Sequence, residues 1–303
     1  MINVTDTLTP VSSVPGQQTP IDGSAKPTRR HGRATPQRIL IYVFLTVAAL
    51  LSVFPLFFMI VSATNTSAQV LGARLLPGTN LLHNLHTLMA QQDLVGALWH
   101  SSLNAVLTTI LALIICAIAG YGFEVFHSRG KDIIMNILLL AMMIPFAATM
   151  IPLFRLFSQI GLTKGGLTTL AVILPAVSTP FLILLFRQSA RSFPHEILEA
   201  ARVDGLSELS IFIRIFIPTM RSTFAAAGVI TFMAAWNNFL WPRVIIINNS
   251  QQTMTMLISN FRAGYVIDYG VLMLAVLIAS LPTMIIFLIL QRSFANGIVG
   301  AIK

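Results

Sequence analysis

The stretch Pro194-His-Glu-Ile-Leu-Glu-Ala-Ala-Arg-Val-Asp-Gly-Leu-Ser-Glu208, running on to Ile217-Pro218, decides how this chain is read. It is a charged, helix-forming segment held between two long apolar runs, a polar loop of 188–219 between membrane spans. Local chemistry predicts two short helices around a break. Pro194 suits a first helical turn, where its missing N–H does no harm. Glu196 and Glu199 follow early, where carboxylates favour the positive end of the helix dipole. Ala200 and Ala201 are strong helix formers of little bulk, so another protein can approach the backbone closely. Gly205 fits a helix end that needs a left-handed residue. Ser207 can cap the next helix, with Glu208 in its first turn, and Pro218 ends the segment.

Spacing alone leaves two readings of this loop open. One is an amphipathic helix lying on the inner leaflet; the other is a docking knob for a soluble partner. Anionic lipid would repel the acidic cluster, and that favours the knob.

Outward from the loop, composition excludes a soluble domain. Hydrophobic residues make up 55% of the 303 and charged residues only 10%, against about 25% charged in soluble domains. Mean hydropathy is +0.81. A bilayer core needs about 20 apolar residues per helix, and six segments qualify: 39–62, 102–125, 133–154, 167–187, 222–247 and 269–291. Unpaired backbone in lipid leaves only helices or a closed barrel, and a barrel's alternation is absent. The expected fold is therefore an all-α membrane protein of six transmembrane helices.

The formal charge of +9 reads as topology rather than as a nucleic-acid surface. With the N-terminus inside, 14 of the Lys and Arg residues fall on inner segments and 5 on outer ones, following the positive-inside rule. The inner set starts with Lys26, Arg29, Arg30, Arg33 and Arg38. Both termini are then cytoplasmic. Residues 1–38 are rich in Ser, Thr, Pro and Gly, without an apolar run, and are expected to be a disordered cytoplasmic segment. No signal-peptide core precedes Ile39.

Beyond the loop, a series of marks runs through residues 99–303. Ala119-Gly120-Tyr121 is followed by Arg129-Gly130-Lys131, Ile144-Pro145, Ile151-Pro152 and Gly161-Leu162-Thr163. After the loop come Ala235-Trp236-Asn237-Asn238-Phe239-Leu240-Trp241-Pro242 and the tail Phe294-Ala-Asn-Gly-Ile-Val-Gly-Ala-Ile-Lys303. In this order, with Glu199-Ala200-Ala201 and Asp204-Gly205, the chain resembles the maltose-type permeases of binding-protein-dependent ATP-binding-cassette importers. It departs from the family pattern at Glu124, Val125 and Asn238, and lacks one more closing glycine.

The resemblance implies a type I importer permease in the cell membrane that moves a sugar, a di- or oligosaccharide. It implies one of two unlike permease subunits, two ATPase subunits beneath and an extracytoplasmic solute-binding protein above. Glu199, Ala200, Ala201, Asp204 and Gly205 would enter an ATPase cleft, and the tail with Gly297, Gly300 and Lys303 would reach the ATPase pair. ATP and Mg2+ would belong to those partners, leaving this chain with no cofactor. The division of the chain would be 1–38, then 39–98 with the first span and an outer loop, a core of 99–291 and a tail of 292–303.

The residues themselves agree on chemistry. No G-x-x-x-x-G-K-[ST] is present, so the chain lacks a phosphate-binding loop of its own. No carboxylate lies deep in a span, which counts against a stand-alone gradient-driven carrier. No H-E-x-x-H or G-x-S-x-G is present either, which counts against an intramembrane enzyme. His83 and His86 lack a third ligand and read as an outer loop. Trp236, Asn237 and Asn238, with Trp241, combine aromatic faces and amides suited to a sugar path, or equally to an interfacial belt with helix-to-helix hydrogen bonds.

Overall fold

The computed structural model describes residues 36–262 and 266–300. The basic cluster at Lys26–Arg33, most of the N-terminal segment, Tyr265 and Lys303 lie outside them. The described chain is helical: α1 (Pro36–Ala63), α2 (Ser67–Leu71), α3 (Leu81–Gln91), α4 (Leu94–Val125), α5 (Arg129–Ala141), α6 (Phe146–Gln159), α7 (Thr168–Ile173) and α8 (Pro180–Arg191). Then follow α9 (His195–Val203), α10 (Glu208–Ile211), α11 (Ile217–Thr219), α12 (Arg221–Trp236), α13 (Leu240–Ile245), α14 (Met254–Arg262) and α15 (Tyr269–Gly300). Two compact units divide within α1, after Ser52. In the first, Leu40, Phe44 and Leu50 are exposed, an apolar surface suited to lipid.

Three helices, within α1, α4 and α15, are long and apolar enough to cross a membrane unbroken. Three bent helix pairs also qualify together, giving up to six spans if each pair is one, in keeping with the six transmembrane segments expected. α5 and α6 meet at 101°. Pro145 there has ψ 129 at the N-cap of α6, and a proline also pushes the residue before it out of the helical region. The run Gly165–Ala176 meets α8 at 53°, with Thr179 extended ahead of Pro180, the first residue of α8. The run Glu208–Thr219 meets α12 at 80°. α12 is only about 24 Å long and stops at Trp236, so the expected span 222–247 is interrupted before α13. At the other end of the chain α15 continues to Gly300, past the expected end at 291.

Two cores sit at opposite ends of α4. Near its C-terminal end, Ala112, Cys116 and Tyr121 pack with Ile183 and Phe186 of α8, and with Leu198, Ala201, Ile211 and Phe216 of the loop. Near its N-terminal end, Leu94, Ala97 and Ala105 pack with Trp236, Leu257 and Val271. Gly120 lets α4 touch α8: a Cβ there would lie 2.6 Å from Phe186 Cβ and 2.7 Å from the Arg187 nitrogen, closer than atoms can pack. The polar loop is thus built into the core of two spans, not laid beside them.

Candidate coupling site

α9 presents two faces. Leu198 and Ala201 are buried in the shared core, while Glu196, Glu199, Ala200, Val203 and Asp204 are exposed. Val203 is 87% exposed among the described residues, an apolar side chain beside the exposed Asp204. Ala201 therefore corrects one expectation: it turns inward, and only Ala200 offers close access to the backbone. Leu198 and Ala201 stand three apart, the helical spacing of an inward stripe, so the signal was present in the sequence.

The end of α9 behaves as its residues require. Gly205 has φ +78. Its N–H donates to Arg202 O at 3.0 Å, and the Leu206 N–H donates to Ala201 O at 3.1 Å; together these make the Schellman closure. No atom lies within 4 Å of a Cβ built on Gly205, so dihedral angle rather than space demands glycine there. Ser207 Oγ accepts from Ser210 N–H and caps α10. Pro194 sits at the N-cap with ψ 120 rather than inside the first turn. Pro218 falls within α11 rather than closing the segment, which ends at Thr219. Having no N–H for the carbonyl four residues back, it follows a π-turn over Phe212–Phe216.

Glu208 joins three elements. Its Oε1 accepts from Arg202 Nε at 2.7 Å, and its Oε2 accepts from the Tyr121 hydroxyl at 3.1 Å. Arg202 belongs to α9, Glu208 to α10 and Tyr121 to α4. The Arg202 guanidinium holds the Glu208 carboxyl below the usual carboxylate range, against partial desolvation, with Tyr121 adding to the effect. The Tyr121 ring meets Phe212 and Phe216 edge-on at 5.3 and 5.0 Å, favourable arrangements for aromatic pairs. Ala119-Gly120-Tyr121 thus has a local physical account: Gly120 admits α8, and Tyr121 grips the loop.

A second charged cluster lies nearby, and reading along the sequence missed it. Arg187 donates through Nε to Glu124 Oε2 at 3.1 Å and through Nη2 to Asp132 Oδ1 at 2.6 Å. His127 Nε2 stands 3.1 Å from the other oxygen of Asp132. Lys131 Nζ donates to the carbonyls of Gly122 and Phe126 at 2.9 and 2.7 Å, capping the orphan acceptors at the end of α4. Glu124, one of the departures from the family pattern, thus carries an ion pair joining α4 to α8.

The expected path residues separate. Trp236 is buried and donates through Nε1 to Ala279 O at 2.9 Å, tying α12 to α15. Trp241 donates likewise to Ala171 O. Asn237 is exposed and donates to Met233 O at 2.8 Å, closing α12. Asn238 lines a cavity of about 390 Å3 with Thr108, Thr179, Phe181, Thr231 and Ala235. Of the tail residues, Gly297 and Gly300 lie on the last turns of α15.

Residues 113–300 match the family model described as binding-protein-dependent transport system inner membrane component. The chain belongs to this family. As a permease it is 42% identical to the lactose transport system permease protein LacG of Rhizobium radiobacter, over 88% of this chain and 96% of that one. It is 32% identical to the arabinooligosaccharides transport system permease protein AraQ of Bacillus subtilis (strain 168), over 89% and 99%. In fold it matches a chain of a bacterial ABC transporter involved in the import of the acidic polysaccharide alginate. There the TM-score is 0.76 at 19% identity, covering 86% of this permease and 97% of that chain. The all-α type I permease fold expected from the sequence is borne out.

Proposed function

We propose that this permease carries a di- or oligosaccharide into the cell, paired with a second, unlike permease subunit. Two ATPase subunits lie on the cytoplasmic side, one of them docking on the exposed face of α9, and an extracytoplasmic binding protein delivers the sugar. ATP and Mg2+ act in the ATPase chains. Glu199, Ala200, Asp204 and Gly205 form the surface that enters the ATPase, with Ala201 fixing α9 from behind and Gly297, Gly300 and Lys303 near the ATPase pair. Both termini are cytoplasmic, a placement supported by the 14-to-5 charge asymmetry.

The observation that carries this reading is the two-faced α9. One side is buried in the core of α4 and α8, and the other leaves Glu199, Ala200, Val203 and Asp204 bare. A lipid-bound helix would reverse the charge. The sugar class is supported by the relatives, whose names specify lactose and arabinooligosaccharides. The path side of this subunit is the cavity at Asn238, with Asn237 beside it; Trp236 serves the packing of α12 on α15.

Affinity purification of the tagged permease in mild detergent tests this. The ATPase pair and the binding protein should co-purify, and hydrolysis should rise when the binding protein carries its sugar. Robust hydrolysis by the clean single chain, or uptake without ATP, would overturn the division of labour.

A further inference from the structure

The joint between α9 and α10 turns on Gly205, closed by the backbone bonds of Gly205 and Leu206. Among the described residues, nothing beyond its chain neighbours would meet a Cβ on Gly205, and α10 is a single turn of four residues. Apolar packing of Leu198 and Ala201 transmits a push toward the core, but such packing is non-directional and resists sliding or withdrawal weakly. A transport cycle needs the spans to follow α9 both inward and outward. A tether across the joint must therefore be directional, and Glu208 supplies one. One carboxylate oxygen holds Arg202 of α9 and the other holds Tyr121 of α4. The Arg202 arm, at 2.7 Å, has the length of a charge-assisted hydrogen bond, and the Tyr121 arm, at 3.1 Å, is the longer of the two. The arms diverge from a single carboxylate, so moving α9 pulls on α4 without passing through the glycine hinge.

We propose that Glu208 is a positioning residue of energy coupling, a latch that makes the second span follow the α9 helix through Arg202 and Tyr121. The proposal rests on the reading that an ATPase docks on α9. Its signature is uncoupling: ATP is hydrolysed but sugar does not follow.

The experiment measures sugar taken up per ATP hydrolysed by the complete transporter in proteoliposomes, with ATPase co-purification recording assembly. Glu208→Ala should keep the ATPases bound and the hydrolysis stimulated, while sugar per ATP falls about fivefold. Tyr121→Phe keeps the ring contacts and removes only the hydroxyl bond, so a fall of about twofold is expected. The exchange Arg202→Glu with Glu208→Arg restores opposite charges and leaves a donor facing Tyr121; it should recover most of the ratio. Should Glu208→Ala fail to assemble, Tyr121→Phe and the exchange decide. An unchanged ratio in Tyr121→Phe and Glu208→Ala, or a parallel loss of assembly, hydrolysis and uptake that the exchange does not rescue, would overturn the latch. Wild-type uptake that proceeds independently of hydrolysis would overturn the docking reading and the latch together.

Discussion

The two ends of α4 are held by different chemistry. At its C-terminal end the bonds to other helices include a set from side chain to side chain, most of them ionic: Arg187 to Glu124 and Asp132, Arg202 to Glu208, Glu208 to Tyr121. At the other end of the bundle, the end of α1 is held by neutral side chains that bond backbone, and Asp268 accepts from Ser67. Asn84 donates to the carbonyls of Ala63 and Asn65 at 2.9 and 3.1 Å, and Asn65 donates to those of Val61 and Leu76. Asn84 and Asn65 are buried, and a Cβ on Gly270 would strike the Asn65 carbonyl. Amide-to-backbone bonds finish α1, whose last carbonyls lack helical partners, and they fix one geometry. Side-chain ion pairs between separate helices can carry motion from one element to another. On the latch proposal, one end is a fixed frame and the other a linkage.

Breaking either end should lower stability, by amounts that differ. The largest stability effect is expected at Arg187, whose side chain is 16% exposed while Glu124 is 12% exposed. Arg187→Ala takes the partner from the largely buried Glu124, while Asp132 keeps His127, and should cost roughly 3 kcal/mol, read as a lower unfolding temperature in detergent. Arg187→Lys should recover only part of it, because an ammonium cannot reproduce the guanidinium fork.

Asn84→Leu should cost about 2 kcal/mol, since it strands two carbonyls in a buried site. The same measurement detects it, but sugar per ATP should stay at the wild-type value in the molecules that remain folded. A drop in that ratio would mean the frame also takes part in coupling.

The smallest effect concerns pH. The folded Glu208 carboxyl titrates below its ordinary range, so the stability it contributes is complete above the unfolded value. It is lost only as pH falls through the lowered folded value. Sugar per ATP should therefore be flat from about pH 5.5 to 8. A decline within that window would show that another group, or a weaker latch, sets the coupling.

Much of this was legible in the sequence where the causes are local. Apolar runs of about 20 residues admit few structures besides membrane helices, and Gly205 and Ser207 announce a helix stop and start within a few positions. The breaks in three spans were less visible, because a hydropathy run passes through Pro145 and Asn237 while the backbone does not. The linkage was invisible. Arg187 is 55 and 63 residues from its two carboxylates, and Tyr121 is 87 from Glu208, so no spacing rule reports them. Trp236 shows the same limit: an indole suited to sugar proves to be satisfied by a carbonyl 43 residues away.

The central claim is that α9 is the place where an ATPase moves this permease. Gly205→Val puts a β-branched residue at φ +78, a region strongly disfavoured for it, and misaims α9 without touching the spans. Glu199→Lys reverses an exposed charge on the proposed docking face. The direct measurement is sugar uptake alongside ATPase co-purification, in membranes that hold each variant at wild-type level. The account predicts normal insertion with uptake lost in both, and weakened ATPase retention in Glu199→Lys. Normal uptake in both variants would contradict it.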